Sequence, residues 1–151
     1  MKIRLADRTE SDTVFRIRGE AIKAAYPHYY PQGAVAWFLS PDNRGHIADD
    51  VDNGKVYVLE TAAGIVGTVT VDGDELKRLF VLPREQGKGY GRALVVFAEK
   101  IIFAGHDRVL VDAALSARKF YEKLGYAFAS AEELPAKNGD VICWNIMEKK
   151  K

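Results

Sequence analysis

A short glycine-rich segment constrains this chain more than any other feature of its sequence. The segment spans residues 86–91 and reads QGKGYG, directly after an apolar run and directly before a helical pattern of apolar residues. Glycine lets backbone N–H groups approach a ligand closely, and the N-terminus of a helix adds a partial positive charge. Since a lysine accompanies three glycines between a strand and a helix, the segment predicts a loop that binds a phosphate group.

Spacing separates this loop from the two commonest nucleotide-binding loops. A dinucleotide fingerprint, Gly-x-Gly-x-x-Gly, needs a glycine where this chain has Arg92, and no second strand ends in an acidic residue about 20 residues further on. A Walker-type loop needs serine or threonine at the position of Gly89 and an earlier glycine at the position of Leu82. This chain therefore lacks residues that the chemistry of each of these two loops requires.

The composition is that of an ordinary globular domain. Of the 151 residues, 48% are hydrophobic and 28% are charged, and the formal net charge of +1 favours neither a nucleic-acid nor a membrane partner. No apolar run approaches the roughly 18 residues that span a bilayer, and the N-terminus does not resemble a secretory signal. The single Cys143 fits a reducing cytosol, and the histidines show no metal-ligand spacing. We therefore expect one cytoplasmic domain over 1–151 without a metal.

The N-terminal half shows apolar periods typical of both helices and strands. Thr9 has the position of a helix N-cap, with Asp12 as a weak capping-box partner. Turns are predicted at 53–54 and 72–73. The predicted elements are a strand at 2–6, helices at 10–25, 34–39 and 44–51, and strands at 55–60, 65–71 and 75–81.

The C-terminal half continues with two helices and three strands. We predict one helix that ends at Gly105, a second one capped by Ser116 and ended by Gly125, and strands at 108–114, 126–130 and 140–147. The last loop is expected to hold Pro135 and the turn Asn138-Gly139, and the lysine tail at 149–151 is expected to be solvated. The predicted buried faces of the two helices are Leu94, Phe97, Ala98, Ile101 and Ile102, and Ala117, Phe120, Tyr121 and Leu124.

The order of these elements indicates the fold class. Strand, helices, three strands, helix, strand, helix and two strands follow one another along the chain. The order predicts a single α/β (α+β) domain with a mixed, mostly antiparallel central sheet of about six or seven strands. Helices flank the sheet, and a helix crossing makes one parallel step after the glycine-rich loop.

Two segments carry a resemblance to a known family. The stretch 79–94, LFVLPREQGKGYGRAL, places Gln86, Gly89 and Gly91 in the pattern Gln/Arg-x-x-Gly-x-Gly/Ala. The stretch 116–126, SARKFYEKLGY, ends a helix with glycine and an aromatic residue. The first resembles the acetyl-CoA-binding motif of the GCN5-related N-acetyltransferase (GNAT) family. The second is similar to the family's later cofactor-side helix, with Ser116 where asparagine is usual.

This resemblance implies an N-acetyltransferase that moves an acetyl group from acetyl-CoA to a primary amine by direct transfer in a ternary complex. Cys143 is a poor candidate for a covalent acetyl-enzyme, because it lies on a predicted strand with no histidine nearby in sequence. The alternative is a non-catalytic acyl-CoA-binding sensor, and a weaker third interpretation is an ATP-binding protein. The acceptor would be a small-molecule or peptide amine, and the resemblance is compatible with a homodimer.

The resemblance also implies which residues contact the cofactor. Backbone N–H groups of the loop and the following helix are expected to bind the pyrophosphate, and Lys88 and Arg92 either add charge or remain solvated. The backbone of Phe80 and Val81, in a bulged or splayed strand, is expected to hold the pantetheine arm and the thioester oxygen. Ser116 either contacts this arm or serves only as a cap. The expected cofactor-binding residues are Phe80, Val81, Gln86, Gly87, Lys88, Gly89, Tyr90, Gly91, Arg92 and Ser116.

Acetyl transfer to an amine requires a base for the amine and a proton for the leaving thiolate. A lysine-like amine has a pKa near 10.4, so its neutral form lies roughly 4–5 kcal/mol away at pH 7. The resemblance suggests Glu75 as the base, although Glu75 can equally be a solvated turn residue, and water is the other candidate. Tyr121 matches the family's tyrosine near the leaving sulfur, or it is a packed ring.

The aromatic segment at 26–31, YPHYYP, is expected to bind the acceptor. It lies between the first two predicted helices, where the family has its acceptor groove. An aromatic wall can receive a cationic amine by cation–π contact. Alternatively the rings pack against Trp37 and Phe38, and Trp144 either joins the wall or belongs to the core. The expected acceptor-binding residues are Tyr26, His28, Tyr29 and Tyr30.

Overall fold

The structure is a computed structural model that describes residues 1–136 and 139–151. The predicted turn residue Asn138 lies outside this part of the chain. The strands are β1 (Lys2–Leu5), β2 (Val56–Thr61), β3 (Gly64–Asp72), β4 (Glu75–Val81), β5 (Arg108–Ala113), β6 (Ala127–Pro135) and β7 (Val141–Lys150). The helices are α1 (Ser11–Ala25), α2 (Gln32–Phe38), α3 (Asn43–Asp52), α4 (Tyr90–Phe103) and α5 (Arg118–Lys123).

The strands form one mixed sheet, in the order β1-β2-β3-β4-β5-β7-β6 within the described residues. All neighbours are antiparallel except β4 and β5, which are parallel and are connected through α4. The predicted fold class, with its single parallel step after the glycine-rich loop, is therefore confirmed. No helix in the described ranges combines the length and the apolar character that crossing a membrane requires.

The parallel pair β4–β5 separates before β4 ends. Its register contains only the pairs Glu75↔Leu110 and Leu76↔Val111. Two residues later, Arg78 has a φ of 47°, a left-handed conformation that is uncommon for a residue with a side chain. The register between β4 and β3 shifts at the same place, which is the signature of a β-bulge. Beyond Leu76, β4 and β5 are no longer paired, which leaves a gap between these two strands toward the carboxyl end of β4.

The core lies between the sheet and helices α1 and α4. On α4 the buried side chains are Leu94, Val95, Ala98 and Ile102. The prediction that Phe97 and Ile101 share this face was wrong: Ile101 is 37% exposed, and the half-buried Phe97 packs its ring 5.0 Å from that of Tyr57. Leu94, Ala98 and Ile102 belong to both the predicted and the observed buried face of α4. The helix is therefore rotated slightly from the predicted orientation, which places Ile101 at the edge that faces solvent.

The chain enters α1 through a cap that the sequence analysis placed two residues too late. Asp7, not Thr9, is the N-cap, and a 3₁₀ turn over Arg8–Glu10 precedes the helix. The Oδ1 atom of Asp7 accepts a hydrogen bond of 2.9 Å from the Thr9 amide, and Oε1 of Glu10 accepts one of 2.7 Å from the Asp7 amide. The capping box is therefore Asp7-x-x-Glu10, and it caps the 3₁₀ turn that precedes α1. Helix α1 itself has no side-chain cap in the described residues.

Glu10 also binds Arg4 of β1, and this pair predicts an acid-sensitive contribution to stability. Two hydrogen bonds of 2.8 Å from the guanidinium lower the pKa of Glu10 from 4.5 to about 2. A lowered pKa stabilises the fold above about pH 4.5, and this stabilisation is lost as the pH falls towards 2. We expect Glu10→Gln to lose on the order of 2 kcal/mol of unfolding free energy at pH 7.

Urea unfolding as a function of pH measures this loss. Glu10→Gln should show a flatter decline in stability between pH 4.5 and 2 than the unmodified chain. Glu20→Gln serves as the control, because the Glu20 side chain is 39% exposed and its ion pairs lie on the surface. An equally steep acid limb in Glu10→Gln would contradict the role of the Arg4–Glu10 pair.

Strands β6 and β7 are longer than predicted. Pro135 lies at the end of β6 rather than in a loop, and Lys149 and Lys150 belong to β7. Lys149 is not a solvated tail residue, because its Nζ lies 3.1 Å from Oε1 of Glu99 on α4. The prediction failed because β6 is exposed along nearly its whole length and shows little apolar alternation, so backbone pairing with β7 defines the strand.

Candidate functional site

One pocket of about 440 Å³ collects most of the predicted site residues. It lies between α1, the end of β4, the glycine-rich loop and the segment that leads into α5. The predicted residues that line it are Tyr26, Phe80, Val81, Gln86, Gly87, Gly89, Tyr90, Gly91, Arg92, Ser116 and Tyr121. The lining residues that the sequence analysis did not assign to a site are Ala21, Ala25, Leu79, Ala117 and Phe120.

The glycine-rich loop has the conformation that its composition suggests. Gly87 and Gly89 have φ values of 78° and 85°, in the left-handed region that favours glycine. Gly89 is the N-cap of α4, and both glycines are exposed and line the pocket, so the N-terminus of this 14-residue helix lies at the pocket wall. A Cβ atom at Gly91 would lie 3.3 Å from the Phe120 ring, so this third glycine allows α4 and α5 to approach closely.

The polar side chains of the loop differ in their roles: Gln86 holds the loop in place, and Arg92 offers a positive charge to the pocket. The Nε2 atom of Gln86 donates a hydrogen bond of 3.0 Å to the carbonyl oxygen of Val81, which ties the loop to the end of β4. Lys88 forms an ion pair of 2.7 Å with Glu85 and does not line the pocket. Arg92 lines the pocket and has no ion-pair partner in the described part of the chain. Arg92 is therefore the loop's available cation.

The gap between β4 and β5 opens into this pocket. Phe80 and Val81 pair with Thr68 and Gly67 of β3, but their other side faces the separated β5. The sequence analysis expected a bulged or splayed strand at these two residues; β4 is separated from β5 there, and the bulge itself lies just before them, at Arg78. Backbone groups on that side of β4 are not used by a neighbouring strand, and they can bind an extended ligand in the manner of an added strand.

Tyr121 is the buried tyrosine of the pocket wall. It is 4% exposed, and its ring contacts those of Phe120 and Tyr126 at 5.1 and 5.4 Å. Burial raises the pKa of its hydroxyl well above the ordinary value of 10, so the group stays protonated at neutral pH. No hydrogen bond to this hydroxyl occurs among the residues described, which leaves its proton available to a ligand.

Ser116 lines the pocket but does not cap a helix. It lies in a 3₁₀ turn over Leu115–Ala117, and α5 begins after Ala117 without a side-chain cap. The predicted N-cap was wrong because the 3₁₀ turn supplies the entry to the helix. Of the four residues in the predicted buried stripe of α5, Tyr121 is buried, and the other three are half-buried: Ala117, Phe120 and Leu124.

Glu75 lies at the opposite end of β4 from the pocket. Its side chain is 45% exposed, and its Oε2 atom lies 3.6 Å from Nζ of Lys77. The structure does not bring Glu75 together with Tyr121, because the whole length of β4 separates Glu75 from Val81. None of the described residues that line the pocket carries a carboxylate.

The aromatic segment after α1 is divided between core and solvent. Tyr26 and Tyr30 are buried, and both rings pack against Phe38, at 4.8 and 5.1 Å. The Tyr30 hydroxyl accepts a hydrogen bond of 2.9 Å from the Leu115 amide, so this tyrosine supports the turn before α5. His28 and Tyr29 are exposed. Only Tyr26 of the four expected acceptor residues lines the 440 Å³ pocket.

Two further residues complete the surroundings of the site. Trp144 is half-buried in the cluster around Tyr30 and Ile142, as the core alternative suggested, and its indole N–H is buried without a partner in the described residues. Arg18 on α1 is 7% exposed and lies close to Phe80. The sequence analysis missed Arg18, although its spacing to Ala21 and Ala25 places a cation within the apolar stripe of α1.

Comparisons with known proteins agree with this arrangement. The acetyltransferase (GNAT) domain family matches residues 52–127, just over half of the chain. No curated protein matches the sequence. In the described ranges no cluster of three or more histidine, cysteine, aspartate or glutamate side chains is placed to hold a metal ion.

Solved structures share the fold over almost the whole chain. A GCN5-related N-acetyltransferase from Rhodopseudomonas palustris has a TM-score of 0.91 at 22% identity, covering 99% of this chain and 95% of its own. The PaiA N-acetyltransferase of Thermoplasma acidophilum, in complex with coenzyme A, has a TM-score of 0.76 at 20% identity and coverages of 99% and 98%. The YncA protein of Salmonella typhimurium, with acetyl-CoA, has a TM-score of 0.71 at 18% identity and coverages of 99% and 93%. The chain belongs to the acetyltransferase (GNAT) domain family.

Proposed function

We propose that this protein transfers an acetyl group from acetyl-CoA to a primary amine, by direct transfer while both substrates are bound. The observation that carries the proposal is the pocket in which a left-handed glycine loop, a splayed parallel strand pair and a buried protonated tyrosine meet. The acceptor is a small-molecule or peptide amine. The cytoplasmic location and the homodimer suggested by the sequence remain predictions.

The residues present fit acetyl-CoA. The exposed N–H groups at the start of α4 suit a pyrophosphate, and Arg92 adds the free cation of the loop. The side of β4 at Phe80 and Val81 with which β5 does not pair suits the peptide-like pantetheine arm, which carries amide groups of its own. Ser116, half-buried on the opposite wall, offers a hydroxyl to the same arm. The coenzyme A and acetyl-CoA held by PaiA and YncA support this assignment.

Acetyl-CoA supplies an activated thioester, and the protein's residues manage the charges and protons of the exchange. A C–N bond forms to the amine as the C–S bond breaks. N–H groups of β4 near Phe80 and Val81 stabilise the negative charge that develops on the carbonyl oxygen. The Tyr121 hydroxyl donates a proton to the leaving thiolate, whose basicity resembles that of a cysteine with a pKa of roughly 8.5, so modest assistance suffices.

We propose water, rather than Glu75, as the route by which the amine loses its proton. The pocket lining contains no carboxylate, and Glu75 lies at the far end of β4. The ring of Tyr26 lies on the wall of the same pocket, where its face can bind a cationic amine before deprotonation. Bulk water at the open mouth then carries the proton away, and the neutral amine attacks the thioester.

The missing carboxylate is also the observation that favours a second function, a non-catalytic acyl-CoA-binding sensor. Two measurements separate the possibilities. Thermal unfolding with CoA, ATP and NAD should show a rise in Tm with CoA alone, and stabilisation by ATP but not by CoA would exclude both functions. Thiol release from acetyl-CoA across a panel of amines should then depend on the amine. Stabilisation by CoA without amine-dependent thiol release would identify the sensor.

A further inference from the structure

Arg18 is a buried cation without a partner of opposite charge. Its side chain projects from α1 and is 7% exposed, yet no carboxylate in the described part of the chain forms an ion pair or hydrogen bond with it. Its guanidinium carbon lies 5.9 Å from the centre of the Phe80 ring, and Phe80 lines the proposed acetyl-CoA pocket. Arg18 therefore lies one aromatic ring away from the place proposed for the thioester.

The surroundings of Arg18 contribute positive rather than negative charge. Arg78 lies on the neighbouring strand β4, and the nearby carboxylate of Asp50 is already paired with Arg78. Burial, with repulsion from Arg78 as a smaller cause, lowers the pKa of Arg18 to about 10 even though Tyr26 acts in the opposite direction. Arg18 remains cationic at neutral pH. A desolvated charge without a counterion destabilises a fold, so a bound anion would offset a real cost here.

Arg18 also borders a second pocket, of about 490 Å³, along α1. Four of the charged groups around this pocket neutralise one another in two ion pairs, and Arg18 and Lys23 remain without one in the described ranges. The two pairs are Arg16–Glu20 and Arg44–Asp12. The second pocket thus carries a net positive charge, and Arg18 on its wall lies 5.9 Å from the centre of the Phe80 ring, which lines the first pocket.

We infer that the acceptor is an amine that also carries a carboxylate, and that Arg18 binds this carboxylate while the amine lies beside Phe80. The inference rests on the proposed function. A guanidinium binds a carboxylate through two parallel N–H···O bonds, and exclusion of water strengthens them. Because Arg18 lies 5.9 Å from Phe80, the carboxylate and the amine should be only a few bonds apart, as in an α-amino acid or a short ω-amino acid.

The phosphates of acetyl-CoA are the competing anions, and the geometry does not favour them. The features proposed to bind phosphate lie at the start of α4, where Gly87 and Gly89 have left-handed conformations and Arg92 has no ion-pair partner among the residues described. Arg18 does not line that pocket and lies on its α1 side, behind Phe80. A single buried guanidinium also suits a carboxylate, whereas a phosphate site usually gathers several donors.

The test uses matched pairs of amines with acetyl-CoA. Each L-α-amino acid, β-alanine and 4-aminobutanoate is assayed beside its carboxamide, and kcat/KM is measured by thiol release. Amidation of an α-amino acid lowers the pKa of its amine, so the chemistry alone favours the amide. We expect at least one acid to exceed its amide roughly 10- to 100-fold, the range of one charge-assisted contact.

Variants of Arg18 then test whether this side chain causes the preference for the acid over the carboxamide. Arg18→Met should reduce the acid-to-amide ratio to one or below, and Arg18→Lys should retain part of the preference for the acid because the charge remains without the planar fork. Arg16→Met removes a charge two residues away on the same helix, from a side chain that is 50% exposed, and should keep the ratio. Thermal unfolding establishes that each variant is folded, and calorimetry with CoA measures cofactor affinity separately.

Each contrary outcome has a distinct meaning. Turnover that prefers the carboxamides, or an acid-to-amide ratio that Arg18→Met and Arg18→Lys leave unchanged, would overturn the inference and leave the proposed function standing. A loss of CoA affinity in Arg18→Met would assign Arg18 to the cofactor and also overturn the inference. Absence of turnover with every amine, in protein that binds CoA, would overturn the proposed function and the inference with it.

Discussion

Gly89→Val is expected to abolish CoA binding while the domain remains folded. Gly89 is the N-cap of α4 with a φ of 85°, a conformation that a β-branched residue strongly disfavours. An added Cβ would meet no atom within 4 Å, so the effect comes from backbone strain and not from a clash. We expect the loop to leave its left-handed conformation, its N–H groups to turn away, and the Kd for CoA to rise at least about 100-fold.

Gly54→Val provides a matched control for this loss. Gly54 also has a positive φ, of 70°, and open space around its Cβ position, but it lies in the turn between α3 and β2. Both variants should lose about 1–2 kcal/mol of stability, because both place a side chain in the left-handed region. Calorimetry should show weaker CoA binding for Gly89→Val alone. Normal CoA affinity in a folded Gly89→Val would refute the role of the loop.

Tyr121→Phe is expected to lower kcat about 100-fold without weakening CoA binding. The variant removes only the hydroxyl that we propose as proton donor to the leaving thiolate, and general acids typically contribute a factor of roughly 10²–10⁴. The lower end is expected because a thiolate is a good leaving group. Stability should not fall, since the hydroxyl makes no hydrogen bond to the described residues that the variant would break.

Tyr126→Phe is the control for Tyr121→Phe, because it removes a hydroxyl whose role we expect to be structural. The Tyr126 hydroxyl donates a hydrogen bond of 2.9 Å to Glu99, and Tyr126 does not line the pocket. Its loss should cost about 1 kcal/mol of stability with little change in kcat. Steady-state kinetics and thermal unfolding of both variants separate the roles. Unchanged turnover in Tyr121→Phe would exclude Tyr121 as the acid.

The parts of the fold that the sequence predicted well are those in which local chemistry decides the structure. Strand β4 has its predicted bounds, and the loop after it contains two glycines in left-handed conformations because no other residue adopts them as readily. The parallel step between β4 and β5 follows from the element order, because a helix connects the two strands. These features place the cofactor pocket.

Features that depend on packing between distant segments were predicted poorly. The rotation of α4 that exposes Ile101 depends on how the helix meets the sheet, and the cap at Asp7 depends on a 3₁₀ turn that propensity does not reveal. Tyr26 and Tyr30 carry the same side chain four residues apart and both pack against Phe38, but Tyr26 lines the cofactor pocket and Tyr30 does not. The sequence analysis did not identify Arg18, because the absence of a paired carboxylate among the described residues depends on which residues surround it in the fold.

Direct transfer of the acetyl group is the central claim, and isotope-labelled acetyl-CoA tests it most directly. Intact-mass measurement of the protein after incubation with labelled acetyl-CoA should show no acetylated protein, because Cys143 lies on β7 and does not line the pocket. Addition of an accepted amine should then give one labelled acetyl group on the amine for each thiol released. A labelled protein that passes its acetyl group to the amine, or CoA binding without any acetylated amine, would contradict direct transfer.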